Sequence, residues 1–225
     1  MWVLTEQFSF KTLAPEVRAV NEALIDVLMR TPLVDNIWLY GVPGAGKSHL
    51  AKCALNRHLY RCMLADYATG PDFNDLAREF PKDRKDRENG LAEAQLLLVD
   101  DIDKVVMTAE SMAVMWAVFD RRYRAGKRTI ITSNMTAKAV SESWRATRNL
   151  NETTLSAMLD RMNPIQQYQV HMPEGVKSLR KTHAPAPSVG VSALVGKVVA
   201  INALPGLQQA LNTGNLAALA SMRGE

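Results

Sequence analysis

The sequence predicts an α/β fold in which a central parallel sheet is flanked by helices. Three observations predict it. Short β-prone runs alternate with helical stretches from residue 36 to residue 171, the pattern of parallel strands joined by helical crossovers. The segment GVPGAGKS at Gly41–Ser48 fits G-x-x-x-x-G-K-[ST] and stands between a strand run and a helical run. A second run, Leu96-Leu97-Leu98-Val99, ends in Asp100 and Asp101, four apolar residues delivering two acids.

Taken in order, residues 1–35 read as a lead-in segment with one helix over Pro15–Arg30. Its Val17, Val20, Leu24, Val27 and Leu28 suit a face packed on the main domain. Strand runs are expected at Ile37–Tyr40, Tyr60–Ala65, Gln95–Asp100, Arg128–Thr132 and Gln166–His171. Helices are expected at Ser48–Leu59, Asp72–Phe80, Ser111–Arg124 and Thr153–Met162. The all-polar Pro81–Asn89 reads as a solvated loop or helix end. Residues 36–180 form the core on this reading, and the proline-bearing 181–190 forms a linker. The nearly uncharged 191–225 forms a short C-terminal helical tail that packs back or docks on a partner.

Composition bounds the class. A chain of 225 residues, 47% apolar and 22% charged, is a soluble globular domain with room for an appendage. MWVLTEQF lacks a signal peptide's basic start and long apolar stretch. Val189–Leu204 is too short to span a membrane and carries Lys197, so no membrane role is expected. Cys53 and Cys62 lack metal-ligand partners and read as thiols of a reducing, cytoplasmic compartment. The four histidines form no ligand pattern.

The chemistry follows from spacing. Glycines at 41, 44 and 46 let the backbone curl so that its N–H groups face a phosphate, and the next helix adds its positive dipole end. Candidate nucleotide contacts are Gly41, Pro43, Gly44, Ala45, Gly46, Lys47, Ser48 and His49, with Lys47 reaching the β- and γ-phosphates. Ser48 and Asp100 are the candidate Mg²⁺ ligands, and Asp101 would polarise the attacking water. The Leu96–Asp100 strand is expected beside the P-loop strand. Thr129–Asn134 (TIITSN) is a β-branched strand ending in polar residues, and Asn134 is the candidate γ-phosphate sensor.

In Leu155–Met162 the apolar Leu155, Met158, Leu159 and Met162 share one helical face, and Arg161 points about 120° away from it. It suits either an arginine finger for a neighbouring subunit's nucleotide or an ion pair with nearby acids. Arg121, Arg122, Arg124, Lys127 and Arg128 suit either a nucleic-acid backbone or a solvated helix end. Trp116 and Phe119 fall on a core stripe, while Trp144, in the polar Ser141–Asn151, suits a surface contact.

In this order, GVPGAGKSHLA at 41–51, LLLVDDID at 96–103, FDRRYRAGKRTIITSNM at 119–135, LDRM at 159–162 and EGVKSLR at 174–180 resemble the AAA+ ATPases. The resemblance is to the DnaC/IstB-like branch of helicase loaders and transposition helpers, and it covers roughly residues 35–180. It implies a five-stranded parallel core with ATP and Mg²⁺ at subunit interfaces, in a helical or ring-like homo-oligomer holding DNA, with single strands favoured. Arg161 becomes the in-trans finger, Arg180 a second sensor, and Ser111 with Thr108–Glu110 a single-strand contact. The replicative helicase becomes the expected partner, and a phage or mobile genetic element a plausible source. A transposition helper on duplex DNA and a non-catalytic ATP-gated switch are the other functions open at this point. Asp101 stands where most AAA+ enzymes have glutamate, which predicts slow hydrolysis. Leu179 replaces the tyrosine of an S-Y-R ending, and only about 35 residues precede the core.

Overall fold

The computed structural model describes residues 8–61, 63–162 and 166–179. After a 3₁₀ turn at Phe10–Thr12 come α1 (Pro15–Val20), α2 (Glu22–Leu28), β1 (Ile37–Tyr40), α3 (Lys47–Tyr60), β2 (Ala65–Thr69) and α4 (Gly70–Arg78). Then follow α5 (Pro81–Glu93), β3 (Leu96–Asp100), α6 (Ala109–Arg124), β4 (Arg128–Ser133), α7 (Ala137–Arg145), α8 (Glu152–Met162) and β5 (Gln166–Gln169). The five strands form one parallel sheet in the order β2-β3-β4-β1-β5. The expected linker 181–190 and tail 191–225, with Cys62, Arg180 and His183, lie outside the described residues.

Side-chain alternation builds two cores. Ile37, Leu39, Leu96, Leu98 and Ile130 point to one face, where Leu50, Ala51, Ala54 and Leu55 of α3 cover them with α1 and α2. Trp38, Leu97, Val99 and Ile131 point to the other, beneath Phe73, Leu91, Met115, Phe119, Val140 and Met158 from α4 to α8. Burial on both faces explains why β1 and β3 read as apolar runs. Among the described residues no helix is long and apolar enough to cross a membrane.

The structure corrects five expectations. The strand expected at Tyr60–Ala65 is mostly the end of α3 and a turn. β2 begins at Ala65, where pairing with Leu96–Asp100 outweighs the polar character of Asp66 and Thr69. The charged Pro81–Asn89 is helical, within α5. Pro81 sits at N1, Arg84 and Glu88 pair one turn apart at 2.8 Å, and only the terminal Leu91 and Ala92 bury, so no apolar stripe marks the helix. The lead-in helix breaks at Asn21, whose buried amide donates to Val17 O and His171 O and accepts from His171 N, fastening α1 to the chain after β5. Trp144 is core, 3% exposed, because α7 folds over the sheet. Finally, β4 lies between β1 and β3, so the acidic strand is one place removed from the P-loop strand.

Candidate functional site

Strand order decides the geometry of the site. The carboxyl ends of β1, β4 and β3 lie side by side, and each delivers part of the site. From β1 the chain turns through residues 41–46 into α3, whose N-cap is Gly46 at φ 92°. A side chain would strain that left-handed backbone, so glycine lets the loop close directly on the helix N-terminus, where free N–H groups point outward. Ala45 is fully buried and its N–H donates to Val42 O at 3.2 Å, whereas Pro43 is exposed.

Lys47, only 5% exposed, donates Nζ to Gly41 O at 2.9 Å, Val42 O at 3.1 Å and Asn134 Oδ1 at 3.0 Å. Asn134, just past β4, is fixed in turn by Asp103, which accepts from its Nδ2 at 2.9 Å and from its backbone N–H at 3.1 Å. The amide oxygen is thereby aimed at the lysine. Ser48 Oγ donates to Asp100 Oδ1 at 2.7 Å, and Thr132 Oγ1 donates to the same oxygen at 2.5 Å. Thr132 also accepts the Asp101 N–H at 2.9 Å, so one buried hydroxyl ties the ends of β3 and β4 together. The other oxygen of Asp100 accepts Tyr67 OH at 3.3 Å and faces Lys52 Nζ at 3.7 Å. Burial, and then the Asp100 carboxylate, raise the Tyr67 pKa above its ordinary value, so Tyr67 stays a neutral donor. Lys52 lies over the rings of Tyr67 and Phe8, at 4.9 and 5.5 Å from their centroids.

Asp101 adopts φ 55° and its carboxylate pairs with Lys104. Its carbonyl comes so close to Gly70 that a Cβ there would collide with it, which sets glycine at the start of α4. His49 turns its ring edge-on to Phe8 with centroids 5.3 Å apart. Behind the loop, Leu179 is buried, donates its N–H to Gly44 O at 2.9 Å and packs near Gly46. Arg180 follows it, outside the described residues.

A second cluster lies where α6 meets α8. Asp120, 5% exposed, accepts from Arg161 Nε at 2.6 Å and pairs with Arg124. Desolvation raises the Asp120 pKa, but the hydrogen bonds from Arg161 and Arg124 win, and the carboxyl is held below the usual range. Arg161 also donates Nη1 to Ala157 O at 2.9 Å and lies 4.5 Å from the Trp116 ring centroid. Both sequence readings of Arg161 keep a counterpart, since an ion pair holds the guanidinium while its side chain stays 26% exposed.

Two expected DNA contacts are corrected. Ser111 is fully buried; its hydroxyl caps α6 with Thr108 and donates to Val106 O at 3.0 Å, so it has no surface to offer. Arg122 is 1% exposed and donates to Thr129 Oγ1 and to the carbonyls of Leu91, Ala94 and Arg128. Burial pulls its pKa down to about 9, which still leaves it charged at neutral pH. Helical phase sends it inward while Arg121 and Arg124 stay exposed. Arg121 reaches Asn89 at 2.7 Å and Glu93 at 3.5 Å, and Lys127 donates to Glu93 O at 2.5 Å.

Sequence reasoning missed Asp103, Lys52 and Tyr67, and gave Thr132 a place in the strand but no role in the site. Lys52 had a readable signal, since it lies four residues beyond Ser48 on the same helical face. Tyr67 had none, because β2 meets β3 only through the fold.

Comparisons with known proteins give the family and the fold. A family model described as IstB-like ATP binding protein matches residues 5–184. The chromosomal replication initiator protein DnaA of Kosmotoga olearia is 26% identical over 138 residues, 58% of this chain and 31% of that protein. The chain thus spans under a third of that curated relative's length. Among solved structures, the replication initiator DnaA bound to AMPPCP and single-stranded DNA superposes with a TM-score of 0.59 at 18% identity, covering 95% of this chain and 70% of that one. The DnaC helicase loader gives 0.54 at 19% identity, covering 74% of this chain and all of that one. At such identities the likeness shows a shared fold, the AAA+ P-loop fold.

Proposed function

Because this chain belongs to the IstB-like ATP-binding protein family, we propose that it is a DNA-binding AAA+ ATPase that loads a replicative helicase. One observation carries the ATPase part, the bonded chain Lys47–Asn134–Asp103 beside Ser48–Asp100–Thr132 at the ends of β1, β4 and β3. Lys47 exchanges its carbonyl partners for the β- and γ-phosphates of ATP, and the P-loop N–H groups hold the remaining oxygens. The oxygen-only pair of Ser48 hydroxyl and Asp100 carboxylate, 2.7 Å apart, fits Mg²⁺, which when bound would neutralise phosphate charge. Asn134 orients the attacking water and Asp101 takes its proton as the terminal phosphate leaves ADP. Arg161, steadied by Asp120 and Trp116, meets the nucleotide of a neighbouring copy and makes ATP the bond between subunits.

Helicase loading draws support from the fold shared with the DnaC helicase loader, and DNA binding from the fold shared with the DNA-bound initiator. A nucleotide-gated protein switch is the second reading. The ion pair of Asp101 with Lys104, which occupies the proposed proton acceptor, favours it.

Fluorescence anisotropy on labelled single-stranded and duplex DNA, with ATP, ADP or neither, tests the proposal alongside phosphate release. Helicase loading expects ATP-dependent preference for single strands and turnover lost in Lys47→Ala and Arg161→Ala. ATP-dependent preference for duplex would replace it with transposition help. ATP binding with neither turnover nor DNA affinity would leave the switch.

A further inference from the structure

The far end of α3 carries a groove that the nucleotide site does not use. It has a volume of about 660 Å³ and runs between the Phe10–Thr12 turn, the end of α2 and the last turns of α3. Lys11, Arg18, Arg57 and Arg61 line it, and among the described residues no carboxylate does. Arg18 donates to Phe10 O at 2.5 Å and Arg57 to Met29 O at 2.6 Å, so backbone carbonyls fix both guanidinium groups without neutralising them. Among the described residues none of the four cations pairs with an acid. By contrast, Arg121 pairs with Glu93 and Arg124 with Asp120 in the basic cluster expected from sequence. Tyr60 stands 61% exposed beside the cations, and the half-buried Phe8 also lines the groove.

We infer that this groove binds single-stranded nucleic acid, its cations tracking the phosphates and Tyr60 stacking on a base. Uncompensated positive charge with an exposed ring is the arrangement that holds an unpaired strand, because a base must leave its duplex to offer a face. An acidic peptide would use the cations but leave the aromatic ring without a role. Lys47 begins α3 and Tyr60 ends it, about 20 Å apart at the helical rise, so a base stacked on Tyr60 and the nucleotide do not compete. The inference rests on the DNA-binding reading above and gives it a location.

The test titrates the full-length protein, with ATP, into a labelled oligothymidine of about 25 nucleotides at several salt concentrations. It compares wild type, Lys11→Glu/Arg61→Glu, Tyr60→Ala, Tyr60→Phe and Arg121→Glu/Lys127→Glu. The charge reversal is expected to weaken binding at least about tenfold at low salt and to flatten the log–log salt slope by about 1.4, two phosphate contacts. Tyr60→Ala is expected to weaken binding about fivefold or more, and Tyr60→Phe to restore it. Binding of a fluorescent ATP analogue should be unchanged in all of them, which also reports that each variant is folded. Wild-type affinity and slope in Lys11→Glu/Arg61→Glu, with loss in Arg121→Glu/Lys127→Glu, would overturn the groove and leave DNA binding standing. Failure of the wild type to bind any DNA would overturn both. Loss of a poly-glutamate peptide by the charge reversal, with oligothymidine binding intact, would make the groove a peptide dock and end the proposal.

Discussion

Arg122→Met should unfold this protein far more easily, although sequence reading places Arg122 among surface cations. The guanidinium is 1% exposed and makes four hydrogen bonds, at 3.0 Å to Thr129 Oγ1, 2.8 Å to Leu91 O, 2.7 Å to Ala94 O, and to Arg128 O. Leu91 and Ala94 close α5, so the arginine satisfies carbonyls that a helix end leaves without partners. Methionine keeps the stem volume and leaves those carbonyls unpaired in the interior. Bonds from a charged donor contribute about 1.5–3 kcal/mol each, and the desolvation of the cation offsets much of their sum. Removing the cation from a buried, bonded site therefore costs about 3–4 kcal/mol net. Against a total stability of about 5–15 kcal/mol, that is a large fraction. Urea titration followed by circular dichroism should show the midpoint falling by about 1 M, for a slope near 3 kcal/mol per molar. A fall below about 0.3 M would mean that desolvation cancels the bonds, and the reasoning would be refuted.

Two further outcomes are expected. His58 is 1% exposed with Nδ1 on Ala54 O at 3.0 Å, and burial first, then Arg57 and Arg61, hold its pKa below the ordinary 6.5. The unfolded state then binds the proton more readily, so stability is full above that ordinary value and is lost as pH falls from it towards the folded pKa. Urea midpoints from about pH 8 to about pH 5.5 should decline in wild type and flatten in His58→Gln; equal slopes would remove His58 from the account. Thr132→Val keeps shape but takes away the hydroxyl that joins Asp100 to the Asp101 N–H. It should cost about 1–2 kcal/mol of stability and weaken binding of a fluorescent ATP analogue about fivefold. Wild-type affinity in that variant would show that the hydroxyl does not position Asp100.

The local grammar of the site was legible along the chain. Glycines at fixed spacing before Lys47, an apolar run ending in Asp100, and TIITSN each declare themselves over a few consecutive residues, because phosphate and metal chemistry constrain short stretches of backbone. Strands β1 and β3 were equally legible, since strands buried on both faces read as apolar runs, whereas the more polar β2 was expected too early, at Tyr60–Ala65. α5 and α7 were not. One is charged along most of its length and anchors only by Leu91 and Ala92, and the other rests on Val140 and Trp144 within a polar stretch.

What only the tertiary structure decided is which side chains face one another. Placing β4 between β1 and β3 brings Thr132 to Asp100 and Asn134 to Lys47, across 32 and 87 residues of chain. Folding α6 against α5 and β4 turns Arg122 inward, while Arg121 beside it stays in water. A linear pattern records residue type and phase within one element. Partners across elements depend on crossovers whose order leaves no mark on either segment, so the chain alone determined the chemistry available and the fold determined its geometry.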